Sequence, residues 1–185
     1  DIKLKWVTLE ENTLRQRVTT DIATHGGQFD VMTIGSYEVP IWAKRKWILP
    51  LKTDAAYDVN DLLPPIRSAL SYDGTLYAAP FYGESSMLMY RKDLAEKAGV
   101  KYSARPTWDE VRDAAAKMND PKAGVYGICL RGKAGWGENM ALLSTMVNTF
   151  GGQWFNMKCQ PQLESKPWHD AVIFYVDMMK KYGPP

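Results

Sequence analysis

The residues best suited to binding chemistry in this sequence, Tyr82 and Glu84, lie between two short β-like runs. Pro80 and Gly83 break these runs, and because proline has no N–H group it cannot lie inside a central strand. The chain is therefore predicted to turn here and to pass from one sheet to another. An aromatic face and a carboxylate at such a crossing are groups that line a cleft for a small molecule.

A second pair of candidates, Ser36 and Tyr37, follows the apolar run at residues 29–34. A mostly apolar run between glycines is typical of a strand covered on both faces. With the alternating run at residues 2–6 and a helix between them, it predicts a βαβ unit with a right-handed crossover. Ligands of open α/β sheets bind beyond the carboxyl ends of strands, so topology alone favours Ser36 and Tyr37.

Several helices are predicted from capping signals and apolar stripes. Leu14, Val18 and Ile22 form one stripe at four-residue spacing, with Asn12 or Thr13 as the N-cap. Thr107 and Glu110 have capping-box spacing, Tyr72-Asp73-Gly74 is a turn signal, and the apolar run 125–130 is a predicted strand. The remaining helices are expected at residues 38–45, 61–71, 93–97, 107–118, 139–150 and 165–182.

Composition excludes several classes of function. The 185 residues carry 23 basic and 21 acidic side chains, and no basic run interleaves with aromatics, so nucleic acid is not expected as a partner. No apolar run reaches the roughly 20 residues of a membrane span. Two cysteines are too few for a disulfide scaffold, and Cys129 is predicted to be a buried thiol within its apolar run.

Two weak sequence patterns do not support a bound cofactor or metal. Residues 127–134 nearly match a phosphate-loop pattern but end in Ala134 where Mg²⁺ binding needs Ser or Thr, so no nucleotide is expected. His25 and His169 lack the spacing of metal ligands. The chain has no signal peptide and opens on Asp1, which fits a processed or trimmed protein.

Four segments resemble the bacterial extracellular solute-binding proteins, the sugar and polyol receptors of ABC importers. They are "FDVMTIGSYEVPIWAKRKWILPL", "YAAPFYGESSMLMYRKDLAEKAGV", "PTWDEVRDAAAKM" and "YGICLRGKAGWGENM", in the order in which the family has them. The sequences of these segments most resemble those of the mannitol/sorbitol-type polyol receptors. The resemblance implies an α/β, two-lobed type II periplasmic-binding-protein fold, a periplasmic or lipid-anchored location and a membrane permease as partner.

The family is longer than this chain at both ends, so the resemblance implies a truncated and incomplete fold. Residues 1–83 would be a partial N-terminal lobe and residues 84–185 a partial C-terminal lobe. A sheet without its first and returning strands is expected to have unpaired edges and exposed apolar faces.

The resemblance also extends the set of candidate ligand contacts. Sugar and polyol sites combine aromatic faces, which stack on C–H surfaces, with carboxylates or arginines that hold hydroxyl groups in charge-assisted hydrogen bonds. In the family's loops the matching residues, all expected to bind ligand, are Glu11, Asn12, Ser36, Tyr37, Tyr82, Glu84, Arg131 and Trp136. Local alternatives remain open: helix capping for Glu11, Asn12, Ser36 and Tyr37, a hinge salt bridge for Glu84, packing for Tyr82 and Trp136, and a solvated side chain for Arg131.

The sequence therefore predicts non-catalytic capture of a sugar alcohol or monosaccharide, without a cofactor, for delivery to an ABC permease. Two alternatives remain open. One is a ligand-free fragment or scaffold derived from such a receptor. The other is a glycosidase, which would need a carboxylate pair such as Glu84 with Glu38 or Glu138.

Overall fold

Helices form most of the regular structure in the computed structural model, which describes residues 1–185. By compactness the chain divides into two units, Asp1–Ser85 and Ser86–Pro185. In chain order the elements are α1 (Glu11–Ala23), α2 (Glu38–Lys44), α3 (Pro64–Ala69), β1 (Ser71–Tyr72), β2 (Thr75–Leu76), α4 (Lys92–Lys97), α5 (Trp108–Met118), α6 (Asn139–Thr149) and α7 (Lys166–Tyr182), with short 3₁₀ turns at Ala55–Tyr57, Val59–Asp61 and Pro121–Ala123.

The first unit has a small core around Val39, Leu70 and Leu76, which joins α2, the end of α3 and the β1–β2 hairpin. Asp73 and Gly74 both have positive φ, 48° and 75°, as a two-residue type I′ hairpin turn requires. The predicted turn at residues 72–74 is thus confirmed.

The second unit is a helical layer in which α7 packs against α5 and α6. Its core is formed by Leu143, Met146 and Val147 on α6 and by Trp168, Ala171 and Tyr175 on α7. Thr107 and Glu110 form the predicted capping box at the start of α5. The helices predicted at residues 139–150 and 165–182 are confirmed with one-residue differences at their ends.

The predicted strands at residues 2–6, 29–34 and 125–130 are not formed, because no other segment pairs with them in a ladder. In these first two segments Ile2, Trp6 and Val31 are 92%, 82% and 90% exposed, and the second segment bends at Asp30 and Val31. In the third, the N–H groups bond instead to helix ends: Gly127 to the Asn119 side chain at 3.1 Å and Ile128 to the Tyr182 carbonyl at 3.1 Å.

Three local predictions are corrected. Cys129 is exposed, because the run around it is not covered as a central strand would be. The N-cap of α1 is Glu10, whose carboxylate accepts the Asn12 and Thr13 N–H groups at 3.1 and 3.3 Å, so α1 begins at Glu11. The helix predicted at residues 61–71 is shortened to Pro64–Ala69, since Pro64 suits a first helical turn. None of the helices is both long enough and apolar enough to span a bilayer.

Candidate functional site

In the first unit the turn that carries Ser36 and Tyr37 is closed by Glu38. One carboxylate oxygen of Glu38 accepts the Gly35 N–H at 2.6 Å, and the Glu38 N–H donates to the Gly35 carbonyl at 3.0 Å. Glu38 is only 8% exposed. Ser36 and Tyr37, between these two fixed ends, are exposed.

The ring of Tyr37 lies against the backbone of Gly35. A Cβ atom at Gly35 would come within 2.7 Å of Tyr37 Cε1 and within 3.2 Å of Arg15 Nη1. The first distance is shorter than real Cβ contacts and the second is tighter than most of them, so glycine at this position allows the aromatic ring and the guanidinium to approach the turn.

Arg15, one turn into α1, connects this turn to the start of the helix. Its Nη1 donates to Glu38 Oε2 at 3.1 Å, while Nε and Nη2 donate to Glu11 Oε1 at 3.2 and 2.8 Å. The guanidinium also lies 5.9 Å from the centre of the Tyr37 ring. Glu11 and Tyr37, both predicted ligand contacts, are therefore brought together by one cation.

These contacts shift the pKa values of Arg15 and Tyr37. Burial works against the charged form of Arg15, but the hydrogen bond to Glu11 and the charge of Glu38 outweigh it and raise the Arg15 pKa. Partial burial, followed by the Glu38 carboxylate, raises the pKa of the Tyr37 phenol, and Arg15 acts in the opposite direction. Arg15 thus stays charged beside a neutral Tyr37 at neutral pH.

The other first-unit candidates are less constrained. Asn12 is exposed in the first turn of α1. Tyr82 is 66% exposed, with its ring 5.1 Å from that of Phe81. Glu84 is exposed in a segment without regular structure. Arg91, a conceivable ion-pair partner for Glu84, is itself paired with Asp93 at 2.6 Å.

In the second unit Arg131 and Trp136 belong to one ordered loop, residues 131–138. The Arg131 guanidinium donates to the Gly137 carbonyl at 2.5 Å, and the Tyr175 hydroxyl donates to the Arg131 carbonyl. Asn139 at the start of α6 accepts the Gly135 N–H at 3.2 Å. Trp136, between these anchor points, is 51% exposed.

One cavity of the second unit lies away from this loop. It has a volume of about 450 Å³ and is lined by residues of α5 and α7, among them Arg112, Phe174 and Tyr182, together with Phe150 beyond the end of α6. No predicted contact residue lines it, and its charged groups are already in ion pairs, such as Arg112 with Asp109 at 2.8 Å. We therefore do not assign it to ligand binding.

Sequence reasoning did not identify Arg15, and it named Glu38 only as a possible member of a glycosidase carboxylate pair. A signal for each was present: Glu11 and Arg15 are four residues apart on one helix, a spacing that favours ion pairs. Glu38 also follows Gly35 by three residues, as the glutamate of a capping box follows its N-cap.

The family-model, sequence and structure comparisons all match this chain to solute-binding proteins. The family model "Bacterial extracellular solute-binding protein" matches residues 1–185. A mannitol-binding protein of Pseudomonas aeruginosa is 55% identical over 186 aligned residues, which cover 100% of this chain and 43% of that protein.

Two solved structures have the same fold over nearly the whole chain. An ABC transporter solute-binding protein of Agrobacterium vitis with bound D-mannitol superposes with a TM-score of 0.90 at 62% identity, covering 98% of this chain and 44% of that one. A solute-binding protein of Agrobacterium radiobacter in complex with ribitol gives a TM-score of 0.84 at 27% identity, with 96% and 45% covered. The chain thus spans less than half the length of the relatives it matches.

Proposed function

Because this chain belongs to the bacterial extracellular solute-binding protein family, we propose that it contributes to the capture of a sugar alcohol or monosaccharide, mannitol first. Its fold is part of the α/β type II periplasmic-binding-protein fold. The matched relatives are solute-binding receptors and not enzymes. The observation that carries the proposal is the 62% identity to a protein whose structure holds D-mannitol.

The loops of both units support this proposal by their chemistry. The exposed rings of Tyr37, Tyr82 and Trp136 offer faces for the C–H surface of a polyol. Glu11, Asn12, Ser36, Glu84 and Arg131 offer the hydrogen-bonding groups. Residues 1–83 would act as part of one lobe and residues 84–185 as part of the other, and closure of the lobes needs contacts that are better in the closed state.

The same family supports a place outside the cytoplasm, periplasmic or lipid-anchored. There the loaded receptor would deliver its polyol to the membrane permease of an ABC importer. Neither proposal needs a cofactor or a nucleotide at the receptor.

Titration calorimetry with D-mannitol, D-sorbitol and D-arabitol tests the binding proposal. We expect a heat of binding with one-to-one stoichiometry for at least one of them. No heat of binding with any of the three would favour a ligand-free scaffold instead. The alternative of a glycosidase predicts hydrolysis of an aryl glycoside that Glu84→Gln abolishes.

The role of Trp136 has a matched control in the same unit. Trp136→Ala is expected to raise the Kd for the bound polyol at least about fivefold, or about 1 kcal/mol, by removing a stacking face. Phe155→Ala removes an aromatic of similar exposure, 58% against 51%, outside the loop and should leave the Kd unchanged. Equal affinities for the two variants would remove Trp136 from the site.

The role of Glu84 is tested against Glu138. We expect Glu84→Ala to weaken binding more than Glu138→Ala, because a ligand hydroxyl left without its partner in a closed site costs about 1–3 kcal/mol. Glu138 is half-buried and lies 3.8 Å from Lys133, so its charge already has a partner. The reverse order would exclude Glu84.

A further inference from the structure

We propose that Arg15 is a positioning residue for ligand binding, and that it fixes the Glu11 carboxylate and the Ser36–Tyr37 turn in one arrangement through Glu38. This inference rests on the proposed function. It assigns a role within the first unit to two residues that are not themselves expected to touch the polyol.

The Arg15 guanidinium is held by hydrogen bonds in two directions. Arg15 uses Nε and Nη2 on one oxygen of Glu11 and Nη1 on Glu38, so three of its five donors are committed in two directions. Its side chain is only 24% exposed. Because the guanidinium is planar, fixing two of its edges also fixes the relative positions of both carboxylates.

Glu38 has no capacity left for a ligand on the oxygen that faces the turn. Its Oε2 accepts both the Gly35 N–H at 2.6 Å and Arg15 Nη1 at 3.1 Å, and its side chain is 10% exposed. A carboxylate enclosed in this way acts on the ligand only through the turn that it closes. Glu38 is therefore a positioning residue as well, and not a contact.

The ring of Tyr37 is held between the Gly35 backbone and the Arg15 guanidinium. A ring fixed before the ligand arrives loses less conformational entropy on binding. Supporting contacts of this kind hold binding groups near their productive geometry, and their loss weakens binding without removing any ligand contact.

The matched control lies on the same helix. Arg17 also donates to a side chain, Gln28 at 3.1 Å, and also lies over an aromatic ring, that of Phe29 at 5.5 Å, but it touches neither Glu11 nor Glu38. We expect Arg15→Met to raise the Kd for D-mannitol roughly tenfold in calorimetry. Arg17→Met, which removes the same charge from the same helix, should bind as the parent does.

Arg15→Lys tests whether the planar group is needed. Lysine keeps the charge but cannot serve two carboxylates in fixed directions, so we expect about a threefold rise in Kd, between those of the parent and Arg15→Met. If Arg15→Met does not fold, Arg15→Lys is used as the test. A Kd for Arg15→Lys equal to that of the parent would then overturn the proposal.

A readout without ligand separates positioning from general destabilisation. The Tyr37 phenol faces Arg15 and Glu38, which shift its pKa in opposite directions. Titration of tyrosines labelled with ¹³C at Cζ, with Tyr37→Phe to assign the signal, should show a higher Tyr37 pKa in Arg15→Met and a lower one in Glu38→Gln. Arg17→Met should not move it.

The outcomes are distinguishable. A parent protein that binds none of the polyols overturns the proposed function and this inference with it. A parent that binds, with Arg15→Met indistinguishable from Arg17→Met, overturns the inference alone. Weaker binding in Arg15→Met with an unmoved Tyr37 pKa in both Arg15→Met and Glu38→Gln also overturns it, because the turn would then not depend on these charges.

Discussion

Two glutamates, one in each unit, make the same local hydrogen bond in different surroundings. Glu38 accepts the N–H of Gly35 at 2.6 Å, and Glu110 accepts the N–H of Thr107 at 2.8 Å, in both cases from three residues back. Glu110 is half-buried, and its other partner is the nearby, exposed Ser103 hydroxyl. Glu38 is buried and paired with Arg15, which lies 23 residues away.

A helix cap becomes a support for a binding loop when its carboxylate is buried and paired with a distant cation. The local bond alone satisfies one orphan donor of a helix start and has no consequence beyond that turn. Burial and a cation from a distant helix make the Glu38 turn depend on contacts outside the local sequence. The first turn can therefore hold Tyr37 in place, whereas the second only begins α5.

The largest effect expected from this contrast is on stability. Glu38→Ala leaves the Gly35 N–H and the Arg15 guanidinium without their buried partner, and we expect it to lower the free energy of unfolding by about 2–4 kcal/mol. Glu110→Ala removes a cap whose partners are all local and should cost clearly less. Urea denaturation followed by circular dichroism compares the two.

If Glu110→Ala lowers the free energy of unfolding as much as Glu38→Ala does, burial and the Arg15 pairing do not distinguish the two turns. Asp93→Asn, which breaks an exposed ion pair with Arg91, serves as the control and should leave the urea midpoint almost unchanged.

The next largest effect concerns the Tyr37 ring. In Gly35→Ala the new methyl group would meet the ring at 2.7 Å, and the ring, as a side chain, can turn away. We expect roughly a tenfold weaker Kd for D-mannitol with little loss of stability. Gly74→Ala, at a turn with open space around it, should leave the Kd unchanged although its positive φ lowers stability. Unchanged affinity in Gly35→Ala would mean that Tyr37 does not contact the polyol.

A smaller effect is expected at the exposed turn. Thr107→Ala removes the hydroxyl that accepts the Glu110 N–H at 3.2 Å and should cost about 1 kcal/mol of stability, as other N-cap replacements do. The Kd for D-mannitol should not change. A weaker Kd in this variant would show that α5 also positions ligand contacts, and the contrast between the two turns would disappear.

The same two turns show how far the sequence alone could predict this molecule. The Thr107–Glu110 cap, the hairpin turn at residues 72–74 and helices α6 and α7 were predicted because each depends on neighbours within a few residues. The Arg15–Glu38 pair could not be predicted in this way, since nothing local shows that Glu38 is buried or that α1 packs beside it.

The predicted strands failed for a related reason, since a strand needs a partner as well as a pattern. Residues 125–130 have the apolar pattern of a buried strand, but their N–H groups bond to helix ends and Cys129 faces solvent. At the candidate site, the loops were predicted from chain order and from resemblance. How their side chains are held required the distances.

The smallest effect is a pH dependence that belongs to the exposed turn. The hydrogen bond from the Thr107 backbone, followed by that of Ser103, holds the pKa of Glu110 below its usual value. Its charge therefore stabilises the folded state fully above the unfolded pKa of about 4.3, and this contribution is lost as the pH falls through the lower folded value. Glutamine at this position can still accept the hydrogen bond but carries no charge. The difference in urea midpoint between the parent and Glu110→Gln should therefore be present at neutral pH and vanish in the acidic range below 4.3; a difference that persists there would assign the effect to packing and not to charge.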